Sequence, residues 1–453
     1  METARRPSLA GLLARAKAWH ADGGDRALAQ RMAGTAFLIR VASAGMLYVT
    51  QVLLARWMGR FEFGIYVYVI SWISFLGMLA PLGIAYSSQR FIPEYRARGE
   101  SERLAGFLYG ARWLCFGLGL AAGLLLAGTV LVLRDSMPDY YVVPFLIAAA
   151  ALPIFCVSSA QDAIARSFNW VVLALVPWFL AQPLIIFFTM GVLHVSGVPV
   201  TAVAGLLTSV AALWSVILIQ LVLLGRRLRA ELAPAARRYE IARWFKTGLP
   251  MFLVDGFYLL LTYVDILVLQ VFEAPSEVAI YYAATKTLAL ITFIYYSVSS
   301  ASGHRFSEYH LTGDRQKLAA FVADTIRWTF WPSLALAMVL ILLGRFVLSL
   351  FGAGFDEGYP ALCVLVIGLV ARASVGPSER LLNMVGEQFS CAAVYAAAFS
   401  VNLVLCFVLI PRFGLIGAAC STASAIVIES VLLFVAIRMR LGLHVFVLRR
   451  SET

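Results

Sequence analysis

Residues 391–410 read CAAVYAAAFSVNLVLCFVLI, a run without a single charge. As a helix it makes a rod of about 30 Å, the thickness of a bilayer's hydrocarbon core. Similar runs recur along the chain. Breaks at charges, Gly and Pro divide them into twelve, near 33–55, 64–86, 104–133, 141–160, 171–192, 200–224, 247–272, 278–301, 320–343, 359–381, 391–410 and 414–437. Lipid offers no partner to a backbone N–H or C=O, so a lipid-exposed run must be helical. The alternation that marks a membrane barrel is missing. The sequence therefore predicts an all-α polytopic membrane protein. Composition agrees: 61% of residues are hydrophobic, and the mean hydropathy is +0.85.

The net charge of +11 would suggest nucleic acid as a partner if the protein were soluble. Here the positive-inside rule accounts for it, and no nucleic-acid-binding motif is present. With a cytoplasmic N-terminus, the expected outer loops hold only Arg56, Arg60, Arg134, Arg345 and Arg412, and most other basic residues fall inside. That bias requires an even number of spans with both termini cytoplasmic. Cys115, Cys156, Cys363, Cys391, Cys406 and Cys420 lie in apolar stretches without a CxxC pair. They read as small buried hydrophobes rather than a metal site or a disulfide set. The leader is no signal peptide, because its apolar run LAGLL is too short. Leu9, Leu12, Leu13, Ala16 and Trp19 recur at helical spacing, which fits an interfacial helix; a disordered leader is the alternative.

One stretch departs from the oily background. Residues 89–107, QRFIPEYRARGESERLAGF, hold Arg90, Glu94, Arg96, Arg98, Glu100, Glu102 and Arg103. It falls in an expected cytoplasmic loop, 87–103, and it has a second copy. Arg90 and Phe91 match Arg305 and Phe306. After one deletion Glu94, Tyr95, Gly99, Leu104 and Phe107 match Glu308, Tyr309, Gly313, Leu318 and Phe321. The same register lays FGIYVY at 63–68 on VAIYYA at 278–283 and the second and third spans on the eighth and ninth. A parallel repeat of two six-helix lobes, 33–224 and 247–437, follows. The lobes would be related by an axis along the membrane normal, with substrate bound between them. A segment 1–32 precedes the lobes, a tail 438–453 follows them, and the Arg-rich linker 225–246 is expected to be a helix along the headgroups.

ARWMGRFEFGIYVYVISWISFLGMLAPLGIAYSSQRFIPEY, residues 55–95, resembles the opening of bacterial polysaccharide flippases of the multidrug/oligosaccharidyl-lipid/polysaccharide exporter superfamily. Arg56, Trp57, Gly59, Glu62, Phe63, Gly64 and Tyr66 carry the pattern. NMVGEQF at 383–389 and PRFGLIGAACSTASA at 411–425 resemble the family's last two helix openings. The resemblance implies a non-enzymatic flippase of the bacterial inner membrane. It would translocate a polyprenyl-diphosphate-linked glycan among membrane lipids, as a monomer or beside polysaccharide assembly proteins. No cofactor is implied beyond H⁺ or Na⁺ coupling.

Ionisable groups inside spans are costly and point to function. Arg40, Arg112, Lys286 and Arg372 are the basic ones; Arg112, near its span's start, can snorkel to the headgroups. In the seventh span Asp255, Tyr258, Thr262 and Asp265 share a narrow sector, and in the eighth Tyr282, Lys286, Ser297 and Ser300 share another. These stripes would bring Lys286 to Asp255 or Asp265, and Glu429 could pair with Arg372. Arg40, Lys286 and Arg372 are the candidate substrate cations, suited to a diphosphate. Asp255 and Asp265 are the candidate ion-coupling carboxylates. The alternative within the superfamily is a cation-drug antiporter, which would need carboxylates at membrane depth in the first lobe, where none appears. A membrane polymerase or ligase would be expected to carry a large outer loop, and none is present.

Overall fold

The structure is a computed structural model that describes residues 25–447. The side chains of 25–38, 40, 41, 250, 251, 253–255 and 290 also fall outside the described residues, as do the leader helix expected near Leu9–Trp19 and the tail beyond 447. The helices run α1 Asp25–Leu79, α2 Ile84–Ala97, α3 Ser101–Val132, α4 Asp139–Ser167, α5 Val171–Val176, α6 Gln182–Val195, α7 Ala202–Glu231, α8 Ile241–Phe272, α9 Pro275–Leu311, α10 Arg315–Ser349, α11 Tyr359–Ser374, α12 Ser378–Met384 and α13 Gln388–Leu441. Eight helices among the described residues are long and apolar enough to cross a membrane, or nine with α9 counted across its 41° bend. No strand occurs among the described residues. The protein is a multi-pass membrane protein.

Two of these helices are broken at one residue. Gly59 (φ 76°, ψ 170°) interrupts α1, and Gly414 (φ 55°, ψ −130°) interrupts α13. Both conformations are open only to glycine at little cost, and both fall where the sequence predicted a break between spans. Between α5 and α6 a π turn covers Pro177–Ala181, closed by the Gln182 N–H donating to the Pro177 carbonyl. Pro177 and Pro183 have no N–H to continue the regular ladder, which favours the wider turn.

Helix α4 packs against α1, α2, α3 and α7, while α8, α10, α11 and α13 pack around α9 or each other. The two groups meet through α1 against α9 and α2 against α8. At matched positions of the sequence repeat the same parts recur. Gly99 and Gly313 both have positive φ (68° and 72°) and end the helix before them. Phe91 stacks near Phe107 at 5.8 Å, and Phe306 near Phe321 at 5.5 Å.

The expected loops 87–103 and 302–319 are mostly helical. α2 runs on to Ala97 and α9 to Leu311, leaving only short turns. Hydropathy detects lipid contact and not helicity, and α2 has its own buried face in Ile84, Ser87, Phe91 and Tyr95.

The linker also differs from expectation. It is helical to Glu231, irregular through Leu232–Glu240, and helical again from Ile241. Pro234 lacks an N–H, and the segment finds better partners in the charged stretch than in the headgroups. Arg103 pairs with Glu100 and Glu240, Arg243 with Glu94 and Glu240, and Arg96 with Glu231, at 2.8–3.0 Å. The Tyr95 hydroxyl donates to Glu240 at 3.0 Å, and the Arg238 N–H donates to the Glu102 carbonyl. A β-carbon at Gly106 would overlap the Arg238 carbonyl, so the strap can lie this close only over glycine. The dense charge of residues 89–107 is one half of a clasp, and the linker is the other.

Burial pushes the Glu240 carboxyl up, but Arg243, Tyr95 and Arg103 outweigh it and hold it below the usual carboxylate range. A carboxyl depressed on folding stabilises above its unfolded pKa and loses that contribution as pH falls through the folded one. The strap is therefore expected to stay tied at neutral pH and to loosen only below about pH 4. Amide hydrogen exchange across 232–240 should rise there. Unchanged protection at about pH 3 would show that Glu240 is not the tie.

Candidate functional site

A cavity of about 240 Å³ lies inside the later helices, walled by α8, α9, α10, α11 and α13. α8 contributes Tyr258, Thr262 and Asp265, spaced i, i+4, i+7 on one face. α9 contributes Thr285, Thr292, Tyr295 and Tyr296; α11 contributes Arg372 and α13 Thr422. The rest of the wall is Leu and Ile with Ser333 and Ala373. An arginine, a carboxylate, tyrosine faces and hydroxyls thus converge in an otherwise apolar hollow, the general form of a ligand site. A larger hollow beside Arg56, Arg345 and Asp356 is an open dish at the surface.

Arg372 is mostly covered, its side chain 14% exposed, and its charge is already matched. Its Nη2 lies 3.5 Å from Glu379 and 3.5 Å from Glu429. The pairing with Glu429 is the one the sequence suggested; Glu379 is an addition. The guanidinium also sits over the Tyr295 ring at 4.8 Å and the Tyr258 ring at 5.8 Å. Its Nε has no hydrogen-bond partner, and neither has either oxygen of the wholly buried Glu429. The group is an arginine held between two carboxylates with donors to spare.

Asp265 is buried and fully engaged. It accepts from the Tyr281 hydroxyl at 2.6 Å, the Thr422 hydroxyl at 3.1 Å and the Ile266 N–H at 2.8 Å. It therefore ties α8 to α9 and α13, and it makes no ion pair among the described residues. Asp265 and Arg372 share the cavity wall.

Lys286 does not join them there. Counting 100° per residue, the cavity face of α9 (Thr285, Leu288, Thr292, Tyr295) is about a third of a turn from the Tyr282–Lys286–Ser297 stripe. The Lys286 ammonium sits 4.7 Å over the Tyr282 ring, within Coulombic reach of Tyr263 and Asp265, and it is solvent-accessible deep within the molecule. Lys286 makes no ion pair with Asp265 among the described residues. Arg40 and Asp255 occupy α1 and α8, but their side chains lie outside the described residues. Arg112 is partly exposed, and its Nε and Nη2 are buried without a hydrogen-bond partner.

Among the earlier helices a cavity of about 230 Å³ is lined by Ser158, Asp162, Arg166, Trp178 and Gln220. Asp162 and Arg166 pair at 2.8 Å near the end of α4, as a carboxylate at a span end should. Sequence reasoning missed Glu379, Tyr295, Tyr281 and Thr422. Glu379 sits where an apolar run ends, which reads as headgroup contact. The tyrosine density of 281–296 was the available signal for the aromatic wall.

Comparison with solved structures identifies the fold. The fold superposes on the lipid II flippase MurJ in an inward closed conformation with a TM-score of 0.69, at 17% identity over 88% of this chain and 87% of that one. It superposes equally, at 0.69, on the inward-facing form of a multidrug resistance MATE family transporter of the MOP superfamily. There the identity is 15% over 90% of this chain and 94% of that one. The fold is that of MOP superfamily transporters. The chain belongs to the polysaccharide biosynthesis protein family, whose model matches residues 31–310. Two curated relatives are similar over shorter stretches. The probable low-salt glycan biosynthesis flippase Agl15 of Haloferax volcanii is 24% identical over 38% of this chain and 36% of its own length. The membrane protein MJ1068 of Methanocaldococcus jannaschii is 25% identical over 41% of this chain and 37% of its own length. The matched stretches thus span little more than a third of those relatives.

Proposed function

We propose that the protein is a flippase that carries a polyprenyl-diphosphate-linked glycan across the inner membrane of a bacterium. It works as two six-helix lobes, 33–224 and 247–437, that alternate access to a central site, with both termini in the cytoplasm. One observation carries the reading: Arg372 lines a cavity inside the bundle among other polar side chains, and its guanidinium Nε has no hydrogen-bond partner. Arg and Lys are natural partners of phosphate. In this reading Arg372, Lys286 and Arg40 hold the diphosphate, Lys286 from outside the cavity wall that carries Arg372, while the glycan stays in water and the tail in lipid. The glycan-flippase name of the Haloferax relative and the fold shared with a lipid II flippase support the substrate class. Reconstitution into liposomes with a fluorescent lipid-linked sugar is the test; no flipping under any ion gradient would sink the reading.

Coupling is assigned to Asp255 and Asp265, and the carrier ion is H⁺ or Na⁺. Asp255→Asn and Asp265→Asn are expected to slow flipping and to remove its dependence on an imposed gradient. For Asp265→Asn one acceptor oxygen remains for Tyr281 or Thr422, so the fold should persist. Wild-type gradient dependence in both variants would make these carboxylates structural only.

A second reading is a cation-drug antiporter. The observation in its favour is the carboxylate excess around the later cavity, where Glu379 and Glu429 pair with one arginine and Asp265 lies in the same wall. Uptake of a fluorescent organic cation by the same liposomes, without flipping of the lipid-linked sugar, would establish it.

A further inference from the structure

We propose that Glu429 is a proton-binding site that governs whether Arg372 is available to the cavity. The proposal rests on the diphosphate reading above. It starts from a charge count in a closed space. Arg372 brings one positive charge between Glu379 and Glu429, which bring two negative ones. Glu379 is about one-third exposed and can lean on water. Glu429 has no such recourse: it is wholly covered, and neither oxygen accepts a hydrogen bond. A buried carboxylate without donors is stable only beside a full countercharge. Its sole counter-ion among the described residues is the Arg372 it shares with Glu379, at 3.5 Å, longer than a good charge-assisted hydrogen bond. The other titratable groups around it are the tyrosines Tyr258 on α8, Tyr295 on α9 and Tyr395 on α13, which supply no positive charge. Asp265, in the same cavity wall, already has three donors.

An anion entering the cavity draws Arg372 toward itself, because Arg372 is the cationic group of that wall. Glu429 is then left without its partner, and it takes one proton from the bulk solvent, where the buffer acid gives it up, forming an O–H bond on a carboxyl oxygen. The reverse holds by linkage: a proton on Glu429 frees Arg372 and tightens anion binding.

The test is calorimetric titration of the full-length protein with a short-chain prenyl diphosphate, repeated in buffers of different ionisation enthalpy. The buffer dependence of the heat counts protons taken up. Wild type is expected to take up close to one proton per ligand beyond the ligand's own, with affinity rising up to tenfold per unit fall in pH. Glu429→Gln should abolish that uptake and bind at neutral pH at least as tightly as wild type. Glu379→Gln should keep the uptake, since the proton resides on the buried carboxyl. Wild-type binding without net uptake, or the same uptake in Glu429→Gln, overturns the proposal. The wild-type measurement decides even where the Gln variant fails to fold. A wild-type protein that binds no diphosphate at any pH overturns the diphosphate reading instead, and the proposal falls with it.

Discussion

Arg372→Gln is expected to lower thermal stability more than Lys286→Gln, by about 3–5 kcal/mol, the usual cost of removing one partner from a buried ion pair. The reason lies in what remains. Gln keeps a polar tip but no charge, and Glu429, wholly covered, then has no ion-pair partner among the described residues. Glu379 loses its only ion-pair partner among the described residues. The aromatic faces of Tyr295 and Tyr258, which the guanidinium covers, gain nothing from an amide. Lys286→Gln removes a charge that makes no ion pair among the described residues and is reachable by solvent, so its cost to folding should be small. Adding Glu429→Gln to Arg372→Gln should recover part of the loss, because the orphaned charge goes with it. Thermal melts of the two single variants and the double close the cycle. Additive losses would mean that Arg372 and Glu429 do not stabilise each other.

Much of this site was legible in the sequence, for identifiable reasons. The α8 stripe Tyr258, Thr262 and Asp265 faces the cavity because a helix fixes relative angles along one element. The Arg372–Glu429 pair could be guessed because charges at membrane depth are few and must find one another. The breaks at Gly59 and Gly414 sit where charges or proline interrupt the apolar runs. The rotation of one helix against its neighbours was not legible. That is why Lys286 looks away from the wall holding Asp265 and Arg372. The strap 232–240 was hidden for a similar reason: its ties, Glu240 to Arg103 and Arg238 to Glu102, join residues more than a hundred positions apart. Composition records that the segment is basic but not what it holds.

Gly64→Val is expected to stop flipping while leaving the protein folded. Gly64 is buried where α1, just past its break, crosses the start of α9, and any β-carbon there would overlap the Pro275 carbonyl. Around the crossing Phe63 packs on Tyr282 and Phe355, Phe355 on Phe351, and Phe351 on Tyr48. The charged contact beside it, Arg60–Glu357 at 3.2 Å, has side chains 38% and 61% exposed and is worth at most about 1 kcal/mol. In the proposed alternating-access cycle, backbone approach and aromatic packing rather than the ion pair are what would hold this side closed. An overlap costing about 3 kcal/mol in the closed arrangement alone moves a two-state equilibrium by roughly a hundredfold. The open arrangement does not feel the overlap, so melting should change little. Flipping of the lipid-linked sugar should fall at least tenfold in Gly64→Val and stay near wild type in Arg60→Ala. In a cysteine-free background, a cysteine replacing the buried Thr287, whose hydroxyl meets Tyr48, should react with a thiol reagent faster in the Gly64→Val protein. Wild-type flipping by Gly64→Val would show that the two helices need not meet here. Equal damage from Arg60→Ala would return the closure to the ion pair.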